Sequence, residues 1–276
     1  MDNMGEEFKA QPIYLIPILA SLVVGLFCAY LLILNPVPSY PVTPFPDTPS
    51  GSLSNALYFV VIIALSATVF YLLIKWKSRK SIFFLAAFAL TAASMLLSVF
   101  YLSPLLSSVP NWEMFVAFLA IIITILFDLV IFKIGGKAQN AVVVVLGGAL
   151  GIFLSYSIPL WSAVLILAFL AVYDIVAVYK GPVGKIASSG LDQLRGLSFA
   201  FKELQMGLGD LVFYSMLSGA MLLKIGLPSY FLASAGILIG SFATFLLLEK
   251  KQVFPGLPIP ILLGLTGGFV GWLLPF

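Results

Sequence analysis

The sequence predicts an all-α, polytopic membrane protein with nine transmembrane helices. Of its 276 residues, 62% are hydrophobic and only 9% are charged, a balance that would not keep a soluble domain of this length in solution. The apolar runs last about 20 residues, the length that crosses a bilayer as helix, without the period-two alternation of barrel strands. We therefore expect one domain, 1–276, embedded in a lipid bilayer.

Nine apolar runs are separated by polar residues or by proline and glycine. The weakest break is Ser157-Ile158-Pro159, between the fifth and sixth runs. The predicted spans are 13–34, 55–74, 81–102, 113–132, 140–158, 160–179, 207–225, 229–248 and 257–275. Spans one to six thus occupy about 13–179, and spans seven to nine about 207–275. The first run is longer than the apolar region of a signal peptide, so we expect it to be retained.

The positions of the basic residues predict the orientation. With the N-terminus inside, 13 of the 14 lysines and arginines lie on one side, and only Lys224 lies on the other. The positive-inside rule then makes the N-terminus cytoplasmic and, with nine spans, places the C-terminus outside. Because topology accounts for the net charge of +3, we expect no nucleic-acid partner.

Two loops stand out by composition. The outer loop 35–54 contains six prolines and is expected to be an extended, solvated strap. The inner loop 180–206 carries apolar residues at helical spacing, and we expect it to lie along the membrane surface. Those residues are Leu191, Leu194, Leu197 and Phe201.

The chain contains no histidine and a single cysteine, Cys28. The absence of histidine excludes the HExxH zinc proteases, the Ser/His and Cys/His nucleophile pairs, and most zinc and haem ligand sets. One cysteine cannot form an intrachain disulfide. We therefore expect neither a metal nor a cofactor.

Three aspartates lie within predicted spans, where an ionisable group costs roughly 2.5 to 3.5 kcal/mol on insertion scales. Asp128 precedes Lys133 by five residues, roughly 7.5 Å along a helix, so we interpret it as a snorkelling or ion-paired residue. Asp174 lies roughly 9 Å, and Asp210 roughly 12 Å, from the same inner boundary. Adjacent antiparallel helices would bring these two together.

Paired carboxyl groups have a chemical use inside a membrane. Like charges repel and desolvation penalises ionisation, so the two groups share one proton and titrate as a unit. The ionised member can take a proton from water while the protonated member polarises a peptide carbonyl. Asp174 and Asp210 are therefore candidates for the division of labour of an aspartyl protease.

The residues beside Asp210 and before the last span fit such a site. Gly207-Leu208-Gly209 leads into Asp210, and glycines there allow a helix or an extended backbone to come close. Pro255-Gly256-Leu257-Pro258 opens the ninth span, and its prolines keep the start of that helix irregular. Taken alone, each pattern is also typical of ordinary helix packing or of a helix N-terminus.

Taken together, these motifs resemble the presenilin and signal-peptide-peptidase superfamily of GxGD intramembrane aspartyl proteases. The matching segments are Val172-Tyr173-Asp174-Ile175-Val176-Ala177-Val178, Gly181-Pro182, Gly207-Leu208-Gly209-Asp210-Leu211-Val212-Phe213-Tyr214-Ser215, and Pro255-Gly256-Leu257-Pro258. They have the order and the host spans of the family's YD, GxGD and PAL motifs. The resemblance covers roughly the C-terminal half and is closer to presenilin, whose N-terminus is cytosolic like the one predicted here.

The resemblance implies an aspartic endopeptidase that cleaves transmembrane-helix proteins or peptides, with Asp174 and Asp210 as the catalytic acids. It implies site-shaping roles for Tyr173, Gly207, Leu208, Gly209, Pro255, Gly256, Leu257 and Pro258. Gly256 departs from the family, which has alanine there. The short 180–206 loop is similar to that of microbial homologues, so we expect an uncleaved, active chain in a prokaryotic plasma membrane.

Other functions fit parts of the pattern. A proton- or cation-coupled transporter would also use intramembrane aspartates, but near the midplane and with a path to both faces. A prepilin-type peptidase shares the GxGD acid, whereas the YD and proline motifs match it poorly. A non-catalytic scaffold gives no reason for two acids at matched depth.

Overall fold

The structure is a computed structural model that describes residues 9–38, 41–76, 78–179, 198–201, 204–250 and 254–274. Within these ranges the chain forms nine α-helices and one β-hairpin. The helices are α1 (Ile16–Leu34), α2 (Pro49–Lys75), α3 (Arg79–Leu106), α4 (Trp112–Leu129), α5 (Gly136–Ser157), α6 (Leu160–Tyr179), α7 (Leu208–Lys224), α8 (Leu227–Lys250) and α9 (Pro258–Trp272). A 3-10 turn, Pro12–Leu15, precedes α1, and a π-turn, Val130–Ile134, follows α4.

Each predicted span coincides with one of these helices. Seven of them, α1 to α6 and α8, are long and apolar enough to cross a membrane. Helix α7 has 17 residues and α9 has 15, which is short for a complete crossing. The all-α, multi-pass membrane class is therefore confirmed, while the count of nine spans and the sides of the termini stay predictions.

The weakest predicted break is present in the structure. Helix α5 ends at Ser157 and α6 begins at Leu160. Between them Ile158 is extended, with φ −112° and ψ 133°, as expected for a residue that precedes proline. Two separate helices therefore occupy the long apolar stretch.

Small residues bring α7 close to α5 and α1. At Gly151 of α5, a Cβ would lie 2.6 Å from the Ser215 Cβ, so only glycine allows this approach. Nearby, the Ser155 hydroxyl lies 2.8 Å from the Met216 carbonyl oxygen, and the Ser21 and Ser215 hydroxyls are 3.0 Å apart. These contacts fix the helix that carries Asp210.

Helices α8 and α9 form another close contact. A Cβ at Gly240 would lie 2.6 Å from the Pro260 Cα, so the two backbones touch at this point. The contact lies just after the start of α9 at Pro258. It holds the start of α9, and with it the Pro255–Pro258 segment, against the bundle.

The outer strap is anchored to the helices in its described parts. The Asn55 side chain accepts from the Phe45 amide at 3.0 Å and donates to the Ser162 hydroxyl at 3.1 Å. The Val42 amide also donates to the Ser157 carbonyl at 3.4 Å. Helix α2 begins at Pro49, inside the predicted loop, because proline suits the first helical position. The strap is exposed as predicted, but it is a docked segment.

A two-stranded hairpin precedes α7. Strand β1 (Ser198–Phe201) pairs antiparallel with β2 (Leu204–Gly207). Phe201, which was predicted on a helical face, therefore lies on a strand, and Leu191, Leu194 and Leu197 fall outside the described residues. In β2, Leu204 and Met206 are buried while Gln205 is exposed, so the burial alternates as a strand requires.

Candidate active site

Asp174 lies near the C-terminal end of α6 and is half-buried. The backbone N–H of Leu257 donates to its Oδ2 atom at 3.0 Å. The Gly256 amide also interacts with this carboxylate. Two successive amides of the segment before α9 therefore face Asp174, which suits a carboxylate that must carry charge in an apolar setting.

Asp210 is the third residue of α7, and Gly207 is the N-cap of that helix. The Gly207 amide interacts with the Asp210 carboxylate, as an acidic side chain at this position does in a capping box. The helix dipole also favours an acid in the first turn. The glycine that ends β2 thus fixes the position of the Asp210 side chain.

The two aspartates meet at the same residues. A Cβ at Gly256 would lie 3.2 Å from the Asp210 Oδ1 atom, while the adjacent Leu257 amide contacts Asp174. Bond lengths along this segment then place the nearest carboxylate oxygens no more than about 10 Å apart. Asp210 also interacts electrostatically with Asp174. The fold therefore brings together the two acids that the sequence paired.

The Pro255–Pro258 segment contacts both acids. Pro255 and Leu257 are buried, and α9 starts at Pro258, so the preceding residues are irregular as predicted. Because Leu257 precedes the helix, its N–H is free of helical hydrogen bonding and can donate to Asp174. The irregular start of the helix thus supplies a donor to the site.

The remaining predicted site residues surround the pair. Tyr173 is half-buried and interacts electrostatically with Asp174. Leu208 is half-buried and packs against the core. Gly209 is exposed, and the nearest atom to a Cβ built there, from Phe213, is 3.8 Å away. Among the described residues, the approach to Gly209 is therefore uncrowded.

Comparisons with known proteins point to one family. The family model described as Presenilin matches residues 185–274. Presenilin-B of Dictyostelium discoideum is 31% identical over 119 residues, which are 39% of this chain and 25% of that protein. The chain therefore spans about a quarter of the length of this curated relative.

Two solved structures share the fold. One is a presenilin family intramembrane aspartate protease in space group C222, with a TM-score of 0.68 and 20% identity over 95% of this chain and 98% of that one. Another, in space group P2, has a TM-score of 0.64 and 19% identity over 93% and 94%. The chain thus has the fold of these proteases over nearly its whole length and is similar in sequence to presenilins over residues 185–274. Its YD, GxGD and PAL-like motifs are the segments that form the contacts described above.

The presenilin PAL motif has alanine at the position of Gly256. In this chain the space for that methyl group is only 3.2 Å from the Asp210 Oδ1 atom and 3.3 Å from Oδ2. An alanine would therefore press on the carboxylate unless one of them moved. The glycine is therefore matched to a close contact with Asp210.

One residue that contacts this site was not identified from the sequence. Tyr214 is buried one turn after Asp210, and its hydroxyl donates to the Gly256 carbonyl at 2.8 Å. It interacts electrostatically with both aspartates. Tyr214 lies four residues after Asp210 and therefore on the same face of the helix. This spacing could have identified Tyr214 as a site residue from the sequence.

Asp128 lies apart from the pair. Its Oδ2 atom accepts from the Thr91 hydroxyl at 2.8 Å, and its buried Oδ1 atom has no hydrogen-bond partner among the described residues. No ion pair joins it to Lys133 within the part of the chain that the structure describes. Of the two interpretations, snorkelling or ion pairing, the structure does not form the ion pair with Lys133; Asp128 pairs with a threonine on α3, whereas Lys133 is an exposed residue of the π-turn.

Proposed function

We propose that this chain is a presenilin-family intramembrane aspartic endopeptidase that hydrolyses peptide bonds of transmembrane helices. Asp174 and Asp210 activate one water between them, and no cofactor or metal takes part. The enzyme acts as an intact chain with nine spans and a cytoplasmic N-terminus, in a prokaryotic plasma membrane. Its substrates are membrane-spanning proteins or peptides that reach the site from the bilayer.

One observation carries this proposal. Two carboxylates from different helices, 36 positions apart in the sequence, contact adjacent residues, Gly256 and Leu257. A pair of intramembrane acids is costly unless it has a use. Hydrolysis provides that use, because a shared proton makes one group a base and the other an acid at the same moment.

The reaction follows from this arrangement. The ionised aspartate takes a proton from the water as its oxygen bonds to the peptide carbon, and the other aspartate gives its proton to the carbonyl oxygen. A gem-diol forms. When it collapses, the C–N bond breaks, the leaving nitrogen takes a proton from one acid, and a diol hydroxyl returns its proton to the other. The pair again holds one proton.

Substrate unwinding is a necessary step. A helical peptide bond has its backbone groups paired and is shielded by side chains, so the substrate must become extended near the acids. The β-hairpin ends at Gly207, three residues before Asp210. An unwound segment can hydrogen-bond to a free edge of this hairpin or to the residues before Pro255, which satisfies its backbone groups.

The experiment uses the full chain reconstituted in lipid vesicles with a single-span peptide, with products followed by mass spectrometry. Asp174→Asn and Asp210→Asn each abolish cleavage. Each variant keeps a single carboxyl group, which cannot act as base and acid at the same moment. Thermal unfolding of both variants stays close to that of the wild type.

Asp128→Asn is the matched control, since it makes the same change at an intramembrane aspartate outside the pair. It retains cleavage. Robust activity in either catalytic variant, or its loss in Asp128→Asn alone, would contradict the assignment.

A further inference from the structure

Tyr214 makes a contact that joins α7 to the segment before α9. Its side chain is only 3% exposed, and the hydroxyl donates to the Gly256 carbonyl at 2.8 Å. Ser241 of α8, which is 1% exposed and donates its own proton to the Ile237 carbonyl, lies beside the same hydroxyl. A buried phenol hydroxyl needs a partner, and here its proton is directed to a backbone atom beside the acid pair.

The accepting carbonyl and the donor to Asp174 belong to the same peptide unit. This unit consists of the Gly256 C=O and the Leu257 N–H, and no peptide bond among the described residues is cis. In a planar trans unit the C=O and the N–H point in opposite directions. Holding the oxygen on Tyr214 therefore aims the hydrogen at the Asp174 Oδ2 atom, 3.0 Å from the nitrogen.

Glycine at position 256 makes this restraint necessary. Without a Cβ, Gly256 has access to far more backbone conformations than alanine, so rotation of the peptide unit is cheap unless a contact opposes it. The hydrogen bond from Tyr214 opposes it on the carbonyl side. The buried position of the phenol keeps water from competing for that oxygen.

We propose that Tyr214 is a positioning residue that orients the Gly256–Leu257 peptide unit toward Asp174. This inference rests on the proposed proteolytic function for its kinetic consequence, but the orientation itself is a property of the fold. The phenol proton is committed to the Gly256 carbonyl, so Tyr214 acts through the segment and does not touch the reacting atoms.

The test is Tyr214→Phe in the reconstituted full chain, which removes the hydroxyl and leaves the ring. We expect kcat to fall roughly 10- to 100-fold, as for loss of one buried hydrogen bond that positions a reacting group. KM stays within about twofold, because substrate binding does not use this contact. Tyr230→Phe is the matched control, since Tyr230 is 4% exposed and its hydroxyl donates to the Leu22 carbonyl at 2.9 Å, away from the acids.

A second readout does not depend on cleavage. Labelling with ¹³C-carbonyl glycine and ¹⁵N leucine selects the amides of the seven leucines that follow a glycine, and the Leu257 signal is assigned by its loss in Leu257→Ile. We expect the exchange of the Leu257 amide with deuterium to be faster in Tyr214→Phe and unchanged in Tyr230→Phe. Unchanged exchange, or a fall in kcat that Tyr230→Phe reproduces, overturns the inference. If the wild type fails to cleave at all, the proposed function fails, and the exchange rates alone decide the role of Tyr214.

Discussion

At the scale of single residues, each of the two aspartates is held by a backbone amide, and only one of these contacts could have been predicted from the sequence. Asp210 uses the amide of its own N-cap, Gly207, and this could have been inferred from the helix start. Asp174 uses the amide of Leu257, which is 83 residues away. Motif order predicted the pair, but a contact at such a distance depends on how α9 packs, and no local pattern encodes it.

Gly256→Ala restores the family's alanine and tests the fit around Asp210. The new methyl group would lie 3.2 Å from the Asp210 Oδ1 atom, so the carboxylate or the segment must shift by a few tenths of an ångström. Because misplacement of catalytic groups is costly, we expect kcat to fall about three- to tenfold. The measurement is cleavage of the single-span peptide under substrate saturation.

Gly25→Ala provides the comparison for that substitution. A Cβ at Gly25 would lie 3.4 Å from the flexible Ile152 side chain and 3.7 Å from the Ser215 Cβ, and none of its three nearest atoms belongs to either aspartate. Its cleavage rate should equal that of the wild type. If Gly256→Ala cleaves as fast as Gly25→Ala, the contact with Asp210 has no catalytic importance.

Asp128 illustrates a limit of spacing arguments. Five residues along a helix placed Lys133 within reach, yet the chain leaves the α-helix at Val130 and forms a π-turn. Lys133 is an exposed residue of this turn, and Thr91 on another helix is the partner of Asp128. A polar partner on a neighbouring helix is a tertiary contact that sequence spacing does not report.

At the scale of elements, helix breaks were predictable and the hairpin was not. Proline after Ile158 restricts the backbone locally, so the boundary between α5 and α6 could be read from three residues. The hairpin was harder to predict. Each of its strands has only four residues, and the apolar residues of the loop 180–206 have a helical spacing that favoured a helix instead. The depth of roughly 12 Å predicted for Asp210 assumed a helical rise throughout, whereas residues 204–207 form a strand.

Helix α2 depends on its first turns for attachment. Its buried residues are all near the N-terminal end, and most of the remaining helix surface is half-buried or exposed to the bilayer. Those residues are Gly51, Ser52, Asn55 and Ala56. Asn55, which is fully buried, joins this end to the strap and to α6 through Ser162. A single amide side chain thus holds three elements together.

Asn55→Ala should destabilise the protein markedly. The change leaves the Phe45 amide and carbonyl, together with the Ser162 hydroxyl, without their partner. Each unsatisfied buried group costs about 1 to 3 kcal/mol, and water reaches some of them, so we expect a loss of about 2 to 4 kcal/mol in unfolding free energy. Thermal or denaturant unfolding in lipid or detergent measures this loss.

Ser54→Ala is the control on the same helix. Its hydroxyl donates to the Ser50 carbonyl of the same helix at 3.0 Å, so its removal leaves no group orphaned. It should change stability by less than about 0.5 kcal/mol. Equal stability of the Asn55 and Ser54 variants would mean that the strap is not attached through Asn55.

At the scale of the whole molecule, the fold extends well beyond the recognisable sequence. The Presenilin family model matches only residues 185–274, whereas the structural likeness covers 95% of the chain. Helices α1 to α4 need apolar residues where they face lipid and small residues where they pack closely. Many different sequences meet these requirements, so sequence similarity is low there. The motifs around the acids are constrained by specific contacts, so sequence similarity persists there.

The two ends of the bundle agree with the predicted topology. Lys224, the one basic residue predicted outside, interacts electrostatically with Asp47 of the outer strap. At the opposite end, the Ala10 amide donates to Glu249 at 2.6 Å, and both were predicted inside. These contacts show which loops share an end, and the charge distribution remains the basis for assigning the cytoplasmic side.

The distance between the carboxyl groups of Asp174 and Asp210 decides whether the two acids can share one water. It can be measured in an experimental structure of the wild-type chain in lipid, free and with a substrate-like peptide. We predict that the nearest oxygens lie within about 6 Å, so that a single water can hydrogen-bond to both. A separation beyond about 10 Å in every state would leave no position for a shared water and would contradict the proposed function.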